Sequence, residues 1–137
     1  MKTLSKISAA TALVVTLFLL LGFIADNKQF DSTPEGNNIV VLVKYKAQPD
    51  KGADAVSELT KLIEQVQKEP HFMYIKLHVD PEDDTNILLY EEWDDESYYK
   101  SEHMNTTHLQ EFIAKSRNFL AGPPEISFWK TAREFKP

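Results

Sequence analysis

Met73 to Trp93 reads MYIKLHVDPEDDTNILLYEEW, and the fold is decided there. Met73, Ile75, Leu77 and Val79 alternate with Tyr74, Lys76 and His78. Ile87, Leu89, Glu91 and Trp93 alternate with Leu88, Tyr90 and Glu92. A period of two marks a strand with one buried face. Pro81-Glu82-Asp83-Asp84 between the runs is turn chemistry, so the two strands form a hairpin. Glu91 shares the apolar face of the second strand, and an inward carboxylate must find partners or shift its pKa upward.

Upstream of the hairpin, Pro70 ends a helix expected over about Asp50 to Glu69, with Asp50 as its N-terminal cap. Val56, Leu59, Ile63 and Val66 fall at steps of three and four and form its buried stripe, widened by Leu62. Before it, Ile39 to Ala47 (IVVLVKYKA) is a β-branched strand. Downstream, Asp94 and Asp95 open a short helix expected to reach about His103. Thr106 or Thr107 caps a second piece whose buried side is Leu109, Phe112, Ile113, Phe119 and Leu120. Gly122 is placed for its C-terminal cap, before Pro123-Pro124. Glu125 to Glu134 is the last strand, carrying Ile126, Phe128 and Trp129. The order β-α-β-β-α-β predicts a ferredoxin-like α+β domain, a four-stranded antiparallel sheet with helices on one face. Tyr45, Phe72 and Tyr74 are expected on the other face, and a bare aromatic face usually marks an interface.

The 137 residues hold no Cys and only 4 Gly, with a net charge of −6. The missing cysteines exclude disulfides, cysteine-ligated metals and a thiol nucleophile. No glycine-rich phosphate loop is present. The acidic balance makes nucleic acid a poor partner. Lys2 and Lys6 precede an uncharged run from Ile7 to Ala25. Residues 1–25 therefore read as a secretory signal or an uncleaved membrane anchor, with the remainder outside the cytoplasm. Residues 26–37 read as a polar linker, and residues 38–137 as the folded domain.

Candidate chemistry gathers between Tyr90 and Glu111. His103 is the best general base, since an imidazole can accept a proton near neutral pH. Trp93, at a strand end ten positions earlier, can line a pocket between helix and sheet. The bland reading is a capping histidine over a core tryptophan. His108 and Glu111 are three apart on a helix, a weak metal pattern, and no metal site is expected. Ser116 and Ser127 lack the partners of a hydrolase triad.

The chain resembles the antibiotic biosynthesis monooxygenase family, which includes quinol monooxygenase-like proteins. The resemblance rests on IVVLVKYKAQPDK from Ile39, LTKLIEQVQKEP from Leu59, the hairpin Met73 to Trp93, HMNTTHLQEF from His103, and PPEISFW from Pro123. It implies a dimeric α/β barrel in which two sheets cover each other, and oxidation of a quinol or other small aromatic by O₂ without metal, flavin or haem. It implies His103, Glu91 and Trp93 as the catalytic set. Tyr45, Phe72, Tyr74, His108 and Phe112 are the expected substrate-binding residues, and a second copy of the chain the expected partner. A sister group that degrades haem is similar at Trp93 and His103 but also uses an asparagine on the first strand. No Asn lies between Ile39 and Gln48 here, which disfavours that activity. A non-catalytic, ligand-binding stress-response module in the same fold is the alternative.

Overall fold

The computed structural model describes residues 38–137; the expected signal or anchor (1–25) and linker (26–37) lie outside the described residues. In chain order the elements are β1 (Ile39–Lys46), α1 (Gly52–Val66), β2 (Phe72–Val79), β3 (Asn86–Trp93), α2 (Glu96–Lys100), a 3₁₀ turn (His103–Asn105), α3 (Thr107–Ser116) and β4 (Glu125–Trp129). The sheet order is β2-β3-β1-β4, antiparallel throughout, which is the ferredoxin-like arrangement. The sheet is open and does not close into a barrel within one chain. No helix among the described residues is long and apolar enough to cross a membrane.

β1 and β3 are the central strands, and their inner faces make the core. Val41, Val43 and Tyr45 pair across from Glu91, Leu89 and Ile87. Against them pack Ala55, Leu59, Leu62 and Val66 of α1, and Leu109 and Phe112 of α3. Burying the eighteen aliphatic and aromatic side chains of this cluster, at roughly 1.5–3 kcal/mol for each large one, is what opposes chain entropy in a domain this small.

Four local expectations are corrected. Asp50 does not cap α1: it sits at φ 62° in the preceding turn, and Lys51 occupies the cap position without a side-chain cap bond. Gly122 does not cap α3, which ends at Ser116 with Arg117 as C-cap; Ala47 and Leu120 instead form a β-bridge. β4 stops at Trp129 rather than Glu134.

The fourth concerns the faces of β2. Phe72 pairs with Trp93 and Tyr74 with Glu92, so two steps on β2 match one step on β3. Met73 is the extra residue of a β-bulge, which turns Phe72 onto the inner face and leaves Tyr74 on the outer one. Tyr45 also points inward, its ring edge-on to Phe112 with centroids 6.1 Å apart. The outer face carries Leu42, Leu88, Tyr74, Tyr90 and Trp129 among charged residues.

Gly52 opens α1 directly beneath the β2–β3 turn. A Cβ there would lie 2.6 Å from the carbonyl oxygen of Asp84 and 2.9 Å from its Cγ. Alanine in a helix ordinarily gains about 1 kcal/mol over glycine, but overpacking against backbone costs about 1–3 kcal/mol. Gly52→Ala is therefore expected to be net destabilising, and thermal unfolding should show a Tm lower than that of the unaltered chain.

Candidate functional site

A cavity of about 720 Å³ lies between the inner face of the sheet and the helices. Its walls are mostly apolar: Val43, Leu62, Ile75, Leu89, Leu109 and Phe112. Tyr45, Glu91, Tyr99 and His103 add polar atoms to the lining, as do Gln48 and Arg117. A largely apolar hollow with a few polar groups is what a small organic ligand requires.

Each of these groups is placed by a local rule. Strand alternation on β3 sends Glu91 and Trp93 inward, and both are buried. The Trp93 Nε1–H donates to Glu91 Oε2 at 3.0 Å. Burial pushes the Glu91 carboxyl up to about 7; the Trp93 hydrogen bond opposes this and the Glu69 charge adds to it. Asp95 caps α2 by accepting from the Tyr98 N–H at 2.9 Å. That fixes Tyr98 and Tyr99, about 100° apart around the helix. Tyr99 stacks on the ring of His103, centroids 4.8 Å apart, and burial raises its phenol pKa.

His103 lies on the 3₁₀ turn and is 5% exposed. Its ring is 4.7 Å from that of Trp93. Its Nδ1 meets Glu69 Oε2 at 2.9 Å. Its Nε2 has no hydrogen-bond partner among the described residues, where no buried side-chain nitrogen or oxygen goes unpartnered. Nε2 is thus the accessible nitrogen, on a residue that lines the cavity. Burial lowers the imidazole pKa, and Glu69 pulls it partly back.

Three of the sequence-predicted residues that line the cavity are polar, Glu91, His103 and Tyr45, and Phe112 joins them. Trp93 does not line it; fully buried, it backs His103 and is flanked by Phe72, Tyr98 and Tyr99. Phe72 likewise packs edge-on to Trp93, away from the cavity. Tyr74 is on the opposite sheet face, stacked on Tyr90 with both hydroxyls donating to Glu92. His108 does not line the cavity; its Nε2 contacts Glu69, which in turn holds the cavity-lining His103.

Two residues of the site, Glu69 and Tyr99, are not singled out by the sequence reading. Glu69 receives Tyr98 Oη at 3.1 Å as well as the two imidazoles, and its side chain is 6% exposed. One signal for it exists in the sequence: a carboxylate beside a helix C-terminus opposes the helix dipole, so something else must hold it there. The two histidines and Glu69 resemble a metal ligand set, but the carboxylate lies between the rings with its oxygens taken by their nitrogens. No group of three or more His, Cys, Asp or Glu among the described residues is arranged to hold a metal ion.

The chain is similar to several known proteins. The chain is 31% identical over 94 residues to an uncharacterised protein of Synechocystis, covering 69% of this chain and 63% of that protein, so it spans under two thirds of that relative's length. It is 28% identical over 89 residues to YcnE of Bacillus subtilis, provisionally named a monooxygenase, covering 64% of this chain and 93% of that one. A solved structure from Nitrosomonas europaea, provisionally named an antibiotic biosynthesis monooxygenase, superposes with a TM-score of 0.65 at 20% identity, covering 72% of this chain and 93% of that one; it shares the fold. The model of the antibiotic biosynthesis monooxygenase family matches residues 38–115, more than half of the sequence, and the chain belongs to that family.

Proposed function

We propose that the domain is a monooxygenase that oxidises a quinol or another small electron-rich aromatic with O₂. The observation that carries this reading is His103, its Nε2 without a hydrogen-bond partner among the described residues, lining the same mostly apolar cavity as Glu91. An aromatic ring fills the apolar part. Its hydroxyl gives a proton to Nε2, and the phenolate is far easier to oxidise than the phenol. One electron passes to O₂, and the ring radical and superoxide combine as a C–O bond. Protonated Glu91 supplies the proton needed when the O–O bond breaks. For a hydroquinone the sum is one quinol and one O₂ giving one hydroxyquinone and one water, so the substrate furnishes all the electrons. General acid–base steps of this kind contribute typically 10²–10⁴-fold.

The working unit we propose is a homodimer. A second copy laid on the outer sheet face would cover Leu42, Leu88, Tyr90 and Trp129 and complete a barrel from two sheets. Residues 1–25 would carry the domain out of the cytoplasm, either released or tethered to the membrane.

Oxygen uptake with a hydroquinone tests the chemistry: His103→Ala should lose about 10²–10⁴-fold in rate while circular dichroism is unchanged. An unaltered rate overturns the assignment, and saturable quinone binding without any turnover would leave a binding module instead. Sedimentation tests the assembly: Leu42→Glu should convert a dimer to a monomer, and a monomeric unaltered chain sinks the dimer.

The pH dependence follows from the two shifts. His103 must be neutral, which holds above its lowered pKa, and Glu91 must be protonated, which holds below about 7. kcat/KM should therefore fall as pH rises through about 7, and Glu91→Gln should abolish that alkaline limb. Stability runs the same way. Because folding raises the Glu91 pKa from 4.5 to about 7, its contribution is fully present below 4.5 and lost as pH rises to about 7, on the order of 3 kcal/mol. Denaturant unfolding of Glu91→Gln should lack that part of the slope.

A further inference from the structure

We propose that Glu69 is the positioning residue of His103: its carboxylate fixes the ring as the Nδ1–H tautomer, leaves Nε2 as the lone-pair nitrogen at the cavity, and stabilises the imidazolium once Nε2 takes a proton. The tautomer follows from the contact of Nδ1 with an ionised carboxylate. The effect on rate rests on the oxidation proposed above.

Pro70 forces the chain out of helix before it, so Glu69 stands in the turn after α1 rather than on a helix face. There its carboxylate meets groups from three later segments: Tyr98 Oη of α2 at 3.1 Å, His103 Nδ1 of the 3₁₀ turn at 2.9 Å, and His108 Nε2 of α3. An ionised carboxylate only accepts hydrogen bonds, so a nitrogen in contact with it must carry a proton. In a neutral imidazole the other nitrogen is then bare. Tyr98 and His108 keep the carboxylate from swinging away, so its orientation is set before any substrate arrives. The other neighbours of His103 cannot fill this role. Tyr99 and Trp93 lie against its ring, and Glu91 is engaged by the Trp93 indole.

Glu69 could instead be a structural clip, joining the end of α1 to the segments after β3. A clip would leave His103 protonation untouched, whereas a positioning charge would not. Glu69 is the main group raising the His103 pKa against its burial, and His108 acts weakly the other way. Glu69→Gln removes the charge and offers one carbonyl to three former donors.

The full chain labelled with ¹⁵N-histidine, read by long-range ¹H–¹⁵N NMR across pH, tests this. In the unaltered protein neutral His103 should show a protonated Nδ1 and a bare Nε2. In Glu69→Gln its pKa should fall, the acid limb of kcat/KM should move to lower pH, and kcat should drop about 10²-fold with a smaller change in KM. A protonated Nε2 in the unaltered protein overturns the proposal, as does a Glu69→Gln variant whose His103 titrates unchanged. If that variant does not fold, the tautomer in the unaltered protein decides alone. The expected spectra without any oxygen uptake would sink the monooxygenase reading and leave the role of Glu69 in orienting His103 standing.

Discussion

Two carboxylic side chains are buried close together in a domain of about a hundred residues, and neither is ion-paired to Lys or Arg among the described residues. An isolated buried carboxylate costs several kcal/mol or more, so each must be bonded or neutral. The domain resolves the two differently. Glu69 is met by two imidazoles and a phenol. Glu91 has one indole N–H and is pushed toward its neutral form. Their mutual repulsion helps separate the two roles, because the Glu69 charge itself raises Glu91. Pairs of acids whose surroundings drive them apart are how one site holds both a proton acceptor and a proton donor.

The sheet makes this arrangement rigid. Glu91 lies on β3, hydrogen-bonded on both sides, opposite Val41 of β1 and Ile75 of β2. Its backbone cannot move without breaking two ladders. Glu69, by contrast, is held only by its turn and its three side-chain partners. His103 sits between these two regimes. Its ring leans on the fixed Trp93 through a 4.7 Å contact and is tied to Glu69 at 2.9 Å. The tryptophan expected to face a ligand is thus better understood as the wall that stops the imidazole from retreating into the core.

Much of this is legible along the chain. Alternation in Asn86–Trp93 exposed Glu91 as an inward acid, and the order of strands and helices followed from Pro70, the hairpin turn and the helical stripes. What stayed hidden has physical causes. The contact between Glu69 and His103 joins residues 34 apart, and nothing periodic links a turn residue to a 3₁₀ turn. Tyr98 and Tyr99 are adjacent and chemically alike, yet a 100° step sends one to Glu69 and the other to the cavity. The bulge at Met73 inserts one residue without any glycine to announce it, so simple alternation assigned Phe72 and Tyr74 to one face when they occupy two.

The charge balance at the cavity argues for the kind of molecule it can admit. At a pH above the lowered His103 pKa and below about 7, His103 and Glu91 are both neutral, and the raised pKa values of Tyr45 and Tyr99 keep those phenols neutral too. The aromatic substrate proposed above would enter neutral, without losing ionic solvation, and the apolar walls would reward its burial. In the oxidation proposed above, a new pair of charges arises when a proton crosses to Nε2, phenolate in the cavity and imidazolium against Glu69, with the Arg117 guanidinium already in the lining. A site complementary to that pair rather than to the resting substrate spends its electrostatics on the reacting state, which is the condition for catalysis as opposed to mere binding.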